Sequence, residues 1–172
     1  MIIIVDGTYG IGKSSVCEVL QKELNMQFID SDSLWNEFAD KYKMAAFFGA
    51  TEPQRKVKYL EYVRDKVKDN KNCILSMTLA SDEARNVIVE YFNQNGLDYY
   101  HFILEASEKS IIQRIEKDAK NRDREFAKEH LKSNMDYLGV NYENAIHVNT
   151  EGKTLEQVAQ NICQIFENCV NV

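Results

Sequence analysis

Apolar and polar positions along this chain fall into blocks that switch repeatedly between two periods. Met1–Val5 is a continuous apolar, β-branched run, which predicts a strand buried on both faces. Lys13–Leu24 follows with Val16, Val19, Leu20 and Leu24 on one helical stripe. Gln27–Ile29 reads as a second strand, and beyond "DSDS" the residues Leu34, Trp35, Phe38, Ala39 and Tyr42 recur at helical spacing. Arg55–Asp69 carries Val57, Leu60, Val63 and Val67, a helix with a charged outer face, and Cys73–Leu79 is a third apolar strand. Ser81 stands as an N-cap before the stripe Val87, Ile88, Tyr91, Phe92, which Gly96 ends. Tyr99–Leu104 is a fourth strand, Ser107 caps a helix bearing Ile111, Ile112 and Ile115, and Ala145–Val148 is a fifth strand. Thr154 and Gln157 form a capping box ahead of Val158, Ile162, Ile165 and Phe166. Strands alternating with helices predict one open α/β sheet, mostly parallel, with helices on both faces.

One stretch departs from the pattern. From Arg114 to Lys132 the chain reads "RIEKDAKNRDREFAKEHLK", crowded with charge and poor in aliphatic residues. It is either a solvated helical face or a flap that closes over anions.

Composition narrows the class. A chain of 172 residues with 44% hydrophobic content suits one domain with a real core. A net charge of −6 argues against a nucleic-acid groove, where a basic surface supplies most of the affinity. Cys17, Cys73, Cys163 and Cys169 are scattered without a CxxC pair, so they read as core or half-buried thiols rather than metal ligands. No apolar run reaches the roughly 18 residues of a membrane span, and the expected location is the cytosol.

The chemistry concentrates in "GTYGIGKS". Gly7-x-x-x-x-Gly12-Lys13-Ser14 matches the P-loop pattern at every defined position. Backbone N–H groups must point inward around phosphates, and glycine permits the dihedrals that aim them. The helix starting near Lys13 adds its unpaired amides and dipole. Gly7, Thr8, Tyr9, Gly10, Ile11, Gly12, Lys13, Ser14 and Ser15 are therefore the expected phosphate-binding residues. Lys13 would neutralise the β- and γ-phosphates, and the Ser14 hydroxyl would ligate Mg²⁺. A dinucleotide-binding reading fails on register, because G-x-G-x-x-G from Gly10 puts Ser15 at the third glycine and leaves Lys13-Ser14 unexplained. Tyr62-x-x-x-Lys66 has the spacing of a short-chain dehydrogenase pair, but it lies in a helix ahead of strand three.

The amino-terminal P-loop, the short chain and "FIDSD" after the first helix resemble the small P-loop kinases of the adenylate/shikimate kinase type. Within them, "MTL", "ILEAS" and "VNTEGKTLEQVA" look like proteins similar to the tunicamycin-resistance protein. The resemblance implies that Asp32 orients or deprotonates an acceptor hydroxyl while Asp30 faces the metal. It implies that Arg114, Arg122 and Arg124 are flap cations, with a lid over about 114–132. It also implies that Asn149–Lys153, including Gly152, packs against adenine. Thr78 is a substrate contact by position. The expected acceptor-side geometry is an extended segment on which Asp30 and Asp32 share a side across Ser31. One departure stands out: Cys73–Leu79 holds no acidic residue, where many P-loop proteins and the deoxynucleoside kinases place one, although Asp6 precedes the loop. The expected function is ATP- and Mg²⁺-dependent phosphorylation of a small hydroxyl-bearing molecule, shikimate-like or an antibiotic, by a monomer or dimer. A nucleoside kinase and a nucleotide-binding regulator without transfer activity are the alternatives. The stretch Leu34–Thr51, expected to line the acceptor pocket, carries no interpretable motif.

Overall fold

In the computed structural model, residues 1–41, 52–118 and 123–170 are described. Five strands form one sheet: β1 (Ile2–Asp6), β2 (Gln27–Asp30), β3 (Cys73–Ser76), β4 (Tyr99–Glu105) and β5 (Ile146–Asn149), in the order β2-β3-β1-β4-β5. Every pairing is parallel, with Ile3 opposite both Ile74 and Tyr100. Parallel strands need crossovers, and these supply the helices: α1 (Lys13–Glu23), α2 (Ser31–Lys41), α3 (Glu52–Asp69), α4 (Asp82–Ala84), α5 (Tyr91–Gln94), α6 (Glu108–Lys117), α7 (Arg124–Glu129), α8 (Leu131–Asn141) and α9 (Leu155–Val170).

Alternation along the strands divides the core in two. Ile3, Val5, Ile74, Phe102 and Leu104 point to the face covered by α1, α6 and α9, where Leu20, Ile111 and Ile162 meet them. Ile2, Ile4, Leu75 and Ile103 point to the opposite face and pack on Val63, Phe92 and Leu138. Burial of each such side chain stabilises the fold by about 1.5–3 kcal/mol. The chain leaves β1, β4 and β5 toward the first face, and β2 and β3 toward the second. The direction of departure therefore reverses between β1 and β3, which opens a crevice beyond their carboxyl ends.

Local chemistry fixes several helix ends as the sequence predicts. The hydroxyls of Ser81 and Ser107 accept N–H bonds from Ala84 and Ser110. Thr154 and Gln157 exchange reciprocal bonds of 2.9 and 3.3 Å at the start of α9. Other boundaries differ. The second helix begins at Ser31 rather than at Leu34, because Asp30 Oδ1 accepts the Asp32 N–H at 3.3 Å and caps it. Between α4 and α5 the chain widens into a π-helical segment, Arg85–Glu90, spanned by an Arg85–Glu90 ion pair at 3.1 Å whose i,i+5 spacing matches that winding. The helix α8 has no counterpart in the sequence reading. Its buried stripe, Leu131, Asn134 and Leu138, is interrupted by an amide, so no apolar period announces it. The charged stretch before it is only partly solvated, since Ala127 and Leu131 enter the core. Of the cysteines, Cys17 and Cys73 are buried and Cys163 is half-buried, but Cys169 is exposed, contrary to expectation.

Candidate nucleotide and acceptor site

The P-loop leaves β1 at the edge of the crevice. Gly10 adopts φ 77°, and a Cβ there would lie 2.3 Å from Ile115 Cγ1, so the loop can pass this close to α6 only without a side chain. Gly12, at φ 107°, ends the loop and starts α1 with no side-chain cap and no acidic residue in the first turn. The first amides of α1 and the positive end of its dipole are thus left for an anion.

Lys13 curls back over the loop. Its Nζ donates to Gly7 O at 2.9 Å, Thr8 O at 3.1 Å and Thr78 Oγ1 at 2.9 Å. Thr78 Oγ1 in turn donates to Gly7 O at 3.0 Å. The Ser14 and Ser76 hydroxyls stand 3.5 Å apart across the crevice. Lys13, Ser14, Asp30, Asp32, Thr78 and Tyr9 line one narrow cavity of about 40 Å³. Tyr59 donates to Ser31 O at the base of α2. Burial, and behind it the negative charge of Asp32, push the phenols of Tyr9 and Tyr59 above the usual range. Asp32 therefore lies in the electrostatic reach of both rings, with its carboxylate on an exposed first turn.

The expected shared side of an extended segment does not form. Asp30 ends β2 and Asp32 is already helical, so the two carboxylates are arranged as cap and first turn. Both still border the same cavity.

A second groove, of about 450 Å³, adjoins the first and is separated from it by the glycines and Ser15. Gly10, Ile11, Arg114, Thr150, Lys153 and Leu155 line it. Arg114 spans its two walls, donating Nη1 to Ile11 O at 3.0 Å and Thr150 Oγ1 at 2.9 Å, and Nη2 to Thr150 O at 3.0 Å. Lys153 Nζ donates to Asn149 O at 2.7 Å, and Gly152 makes an exposed turn at φ 67°. The Asn149 side chain accepts the Glu151 N–H, and this residue and Thr8 border a different cavity of about 430 Å³ beside α6 and α8. Arg124 Nη2 donates to Asp118 O at 2.7 Å. The next helical turn brings Phe126 edge-on to Tyr9, ring centroids 5.4 Å apart, so α7 lies against the P-loop. Arg122 lies outside the described residues, as does most of the stretch expected to line the acceptor pocket.

Ser76 and Tyr59 border the crevice without having been singled out in the sequence, whereas Thr150 falls inside the expected Asn149–Lys153 loop. Ser76 carried a signal, a lone hydroxyl in an otherwise apolar strand at its carboxyl end. Tyr59 carried none, because its place is set by Ser31, 28 residues away in sequence. The Tyr62–Lys66 pair turns out to be structural: both side chains donate to Glu37 Oε1, at 2.5 and 2.7 Å, and tie α3 to α2.

The site fits a nucleoside triphosphate. The uncapped helix start, the glycine cradle and the Lys13 ammonium suit phosphates, and the second groove adjoins them across Gly10, Gly12 and Ser15. Among the described residues no group of three or more His, Cys, Asp or Glu forms a metal cage. Magnesium would instead take Ser14 Oγ, phosphate oxygens and water, with Asp30 nearby, in keeping with its preference for retained waters. No helix among the described residues is long and apolar enough to cross a membrane.

No curated protein matches the sequence significantly. Among solved structures, the chain is similar to a shikimate kinase from Aquifex aeolicus (20% identity, TM-score 0.66, 99% of this chain and 98% of that one). It is also similar to a gluconokinase from Sinorhizobium meliloti 1021 (17% identity, TM-score 0.67, 98% and 94% covered). The tunicamycin resistance protein of Deinococcus radiodurans matches at 13% identity and a TM-score of 0.66, with 96% and 95% covered. At these identities the likeness is one of fold: a five-stranded parallel P-loop sheet with helices on both faces. A family model described as an AAA domain matches residues 2–138, the span that runs from the strand feeding the P-loop to the helix after the charged stretch, and the protein belongs to that family.

Proposed function

We propose that this protein is an ATP-dependent phosphotransferase that phosphorylates a hydroxyl group of a small molecule. The observation that carries the reading is the crevice itself: Lys13, Ser14 and the open α1 terminus on one side, Asp30 and Asp32 on the other. A regulator that only bound nucleotide would need the first set and not the second. Bound ATP–Mg²⁺ supplies the transferable phosphoryl group and neutralises its charge. Gly7 to Ser15 bind the phosphates, and Lys13 exchanges its contacts with Gly7 O and Thr8 O for phosphate oxygens. Asp32 orients the acceptor hydroxyl and takes its proton, and Thr78 contacts the substrate. Arg114 and the Asn149–Lys153 loop with Gly152 frame the base, while Arg122 and Arg124 act from the lid over 114–132. Phosphoryl transfer depends chiefly on positioning and charge, which this division of labour provides. All 172 residues form one catalytic unit in this reading. The unpaired cysteines suit a reducing cytosol.

The test is ATP consumption against a panel of shikimate-like acids, sugars, nucleosides and hydroxylated antibiotics, with phosphorylated product identified by mass. An acceptor-dependent rate that disappears in Lys13→Ala supports the reading. Tight ATP binding with no transfer to any class of acceptor leaves a nucleotide-binding regulator instead.

A further inference from the structure

Asp6 is the last residue of β1. It is fully buried and does not line the phosphate crevice. Its Oδ1 accepts the N–H of Gly7 at 2.6 Å and of Leu79 at 3.0 Å, and Oδ2 lies 3.0 Å from His101 Nε2. A carboxylate only accepts, so Nε2 carries the proton in this contact. The His101 ring, on β4, packs edge-on against Tyr142 with centroids 4.8 Å apart, and Tyr142 Oη donates to Leu79 O at 2.6 Å. Both main-chain groups of Leu79 are thereby held, from β1 on one side and from the end of α8 on the other. The residue before it is Thr78, whose hydroxyl bonds Gly7 O and Lys13 Nζ.

Burying a carboxylate costs free energy that an aliphatic residue would not, unless every lone pair is engaged. Ile2 to Val5 show that this strand is otherwise wholly apolar. The expenditure at Asp6 thus calls for a role that packing does not fill. We infer that Asp6 and His101 are positioning residues for the P-loop: they lock the Gly7 and Leu79 amides together, so that Thr78 meets Lys13 and the loop is set to receive phosphates before they arrive. Neither residue lines the phosphate cavity. Their effect on nucleotide runs through Gly7 and Thr78, and in that respect the inference rests on the phosphotransferase reading.

The experiment compares His101→Leu, Asp6→Val and Asp6→Asn with Phe92→Leu, a core variant on the same face of the sheet as Leu79 and Tyr142 whose ring takes no part in the hydrogen-bond network. Mg·ATP affinity is measured by calorimetry, and exchange of the Gly7 and Leu79 amides by NMR without nucleotide. An asparagine oxygen can still accept both amides, and its NH2 can donate to His101 Nε2 in the other imidazole tautomer, so Asp6→Asn is expected to stay within about threefold of wild type in affinity, while His101→Leu weakens it about tenfold and Asp6→Val more. Amide exchange in His101→Leu should rise by about tenfold or more, although its substitution removes no bond to either amide. Phe92→Leu should lower the melting temperature and leave both readouts at wild-type values. Unchanged Gly7 and Leu79 exchange in His101→Leu, or the same loss of affinity in Phe92→Leu, overturns the inference. A wild-type protein that binds no Mg·ATP sinks the phosphotransferase reading instead, and the exchange data then decide the positioning role alone.

Discussion

On the β1–α1 side of the crevice, the ligand-facing groups are largely main chain: the amides of a glycine-rich loop and of an uncapped helix, with one lysine folded over them. On the β2–α2 side they are side chains, Asp30 closing a strand and Asp32 on the first turn of a helix. The first side is specified by what residues lack, since a Cβ at position 10 has no room. The second is specified by what residues carry, and it can change its chemistry without altering the backbone. On the proposed reading, a fold built this way can keep its nucleotide site while its acceptor site changes.

The contrast is tested most severely at Lys13, the one charged side chain on the main-chain side. Lys13→Ala should lower turnover about 10²–10³-fold at saturating ATP, the range for removing one preorganised donor to transition-state charge. The fold should persist, because the lysine is half-buried and sits outside both core clusters. Circular dichroism and a thermal melt check that half. A folded variant with normal turnover removes Lys13 from the chemistry.

Gly10→Ala comes next. The new methyl would meet Ile115 at 2.3 Å in a left-handed backbone, and overpacking of this kind costs about 1–3 kcal/mol. The melting temperature should fall and ATP affinity with it. Adding Ile115→Ala should recover part of the steric loss but none of the backbone strain. Full recovery would mean that glycine is needed there for space alone.

The two sides also differed in how far the sequence disclosed them. Gly7, Gly12, Lys13 and Ser14 stand out in the sequence because the P-loop pattern fixes both spacing and residue type, and the loop backbone at Gly7, Gly10 and Gly12 takes positive φ. The strands and the crossover helices α1, α6 and α9 were legible for a related reason: Val16, Leu20, Ile111 and Ile162 repeat at the helical period. The helix α8 was not, because Asn134 interrupts its buried stripe and Gly139 weakens its propensity. Asp32 was found by position, but its conformation was misjudged: a carboxylate two residues upstream can continue an extended segment or cap a helix, and only the tertiary setting of α2 chooses. Asp6 reads in the sequence only as an acidic residue ahead of the loop, since nothing near it announces His101, 95 residues away.

Asp32→Asn tests the side-chain half of the comparison. A general base contributes typically about 10²–10⁴-fold, but a loose phosphoryl transition state needs less help, so a loss of about 10–100-fold in turnover is expected. Acceptor KM should rise and ATP KM should not. An equal rise in both would mean that the two sides are not separable as drawn. Asp30→Asn should act differently, raising the magnesium needed for half-maximal rate, with its amide oxygen still able to cap α2.

Arg114 joins the walls of the second groove, and Arg114→Ala should raise ATP KM about tenfold, since it removes three hydrogen bonds to Ile11 and Thr150 at once. Arg124 provides the smallest and most discriminating effect. Its guanidinium is exposed and donates to Asp118 O, while its helix meets the P-loop through the Phe126–Tyr9 contact instead. If the lid acts by delivering cations, Arg124→Ala should lower turnover more than any KM. If it acts by covering the loop, Phe126→Ala should do the damage and Arg124→Ala should do little. Arginine's bidentate fit to phosphate favours a measurable role, but an exposed position limits it. We therefore expect a loss of about two- to fivefold in turnover for Arg124→Ala, since exposed charge contacts are worth about 1 kcal/mol or less. ATP KM should be unchanged, and the loss should shrink further at high salt. A salt-insensitive loss larger than that of Asp32→Asn would place Arg124 on the transferring phosphate, and the charge that matters most would then sit on neither wall of the crevice but on the segment above it.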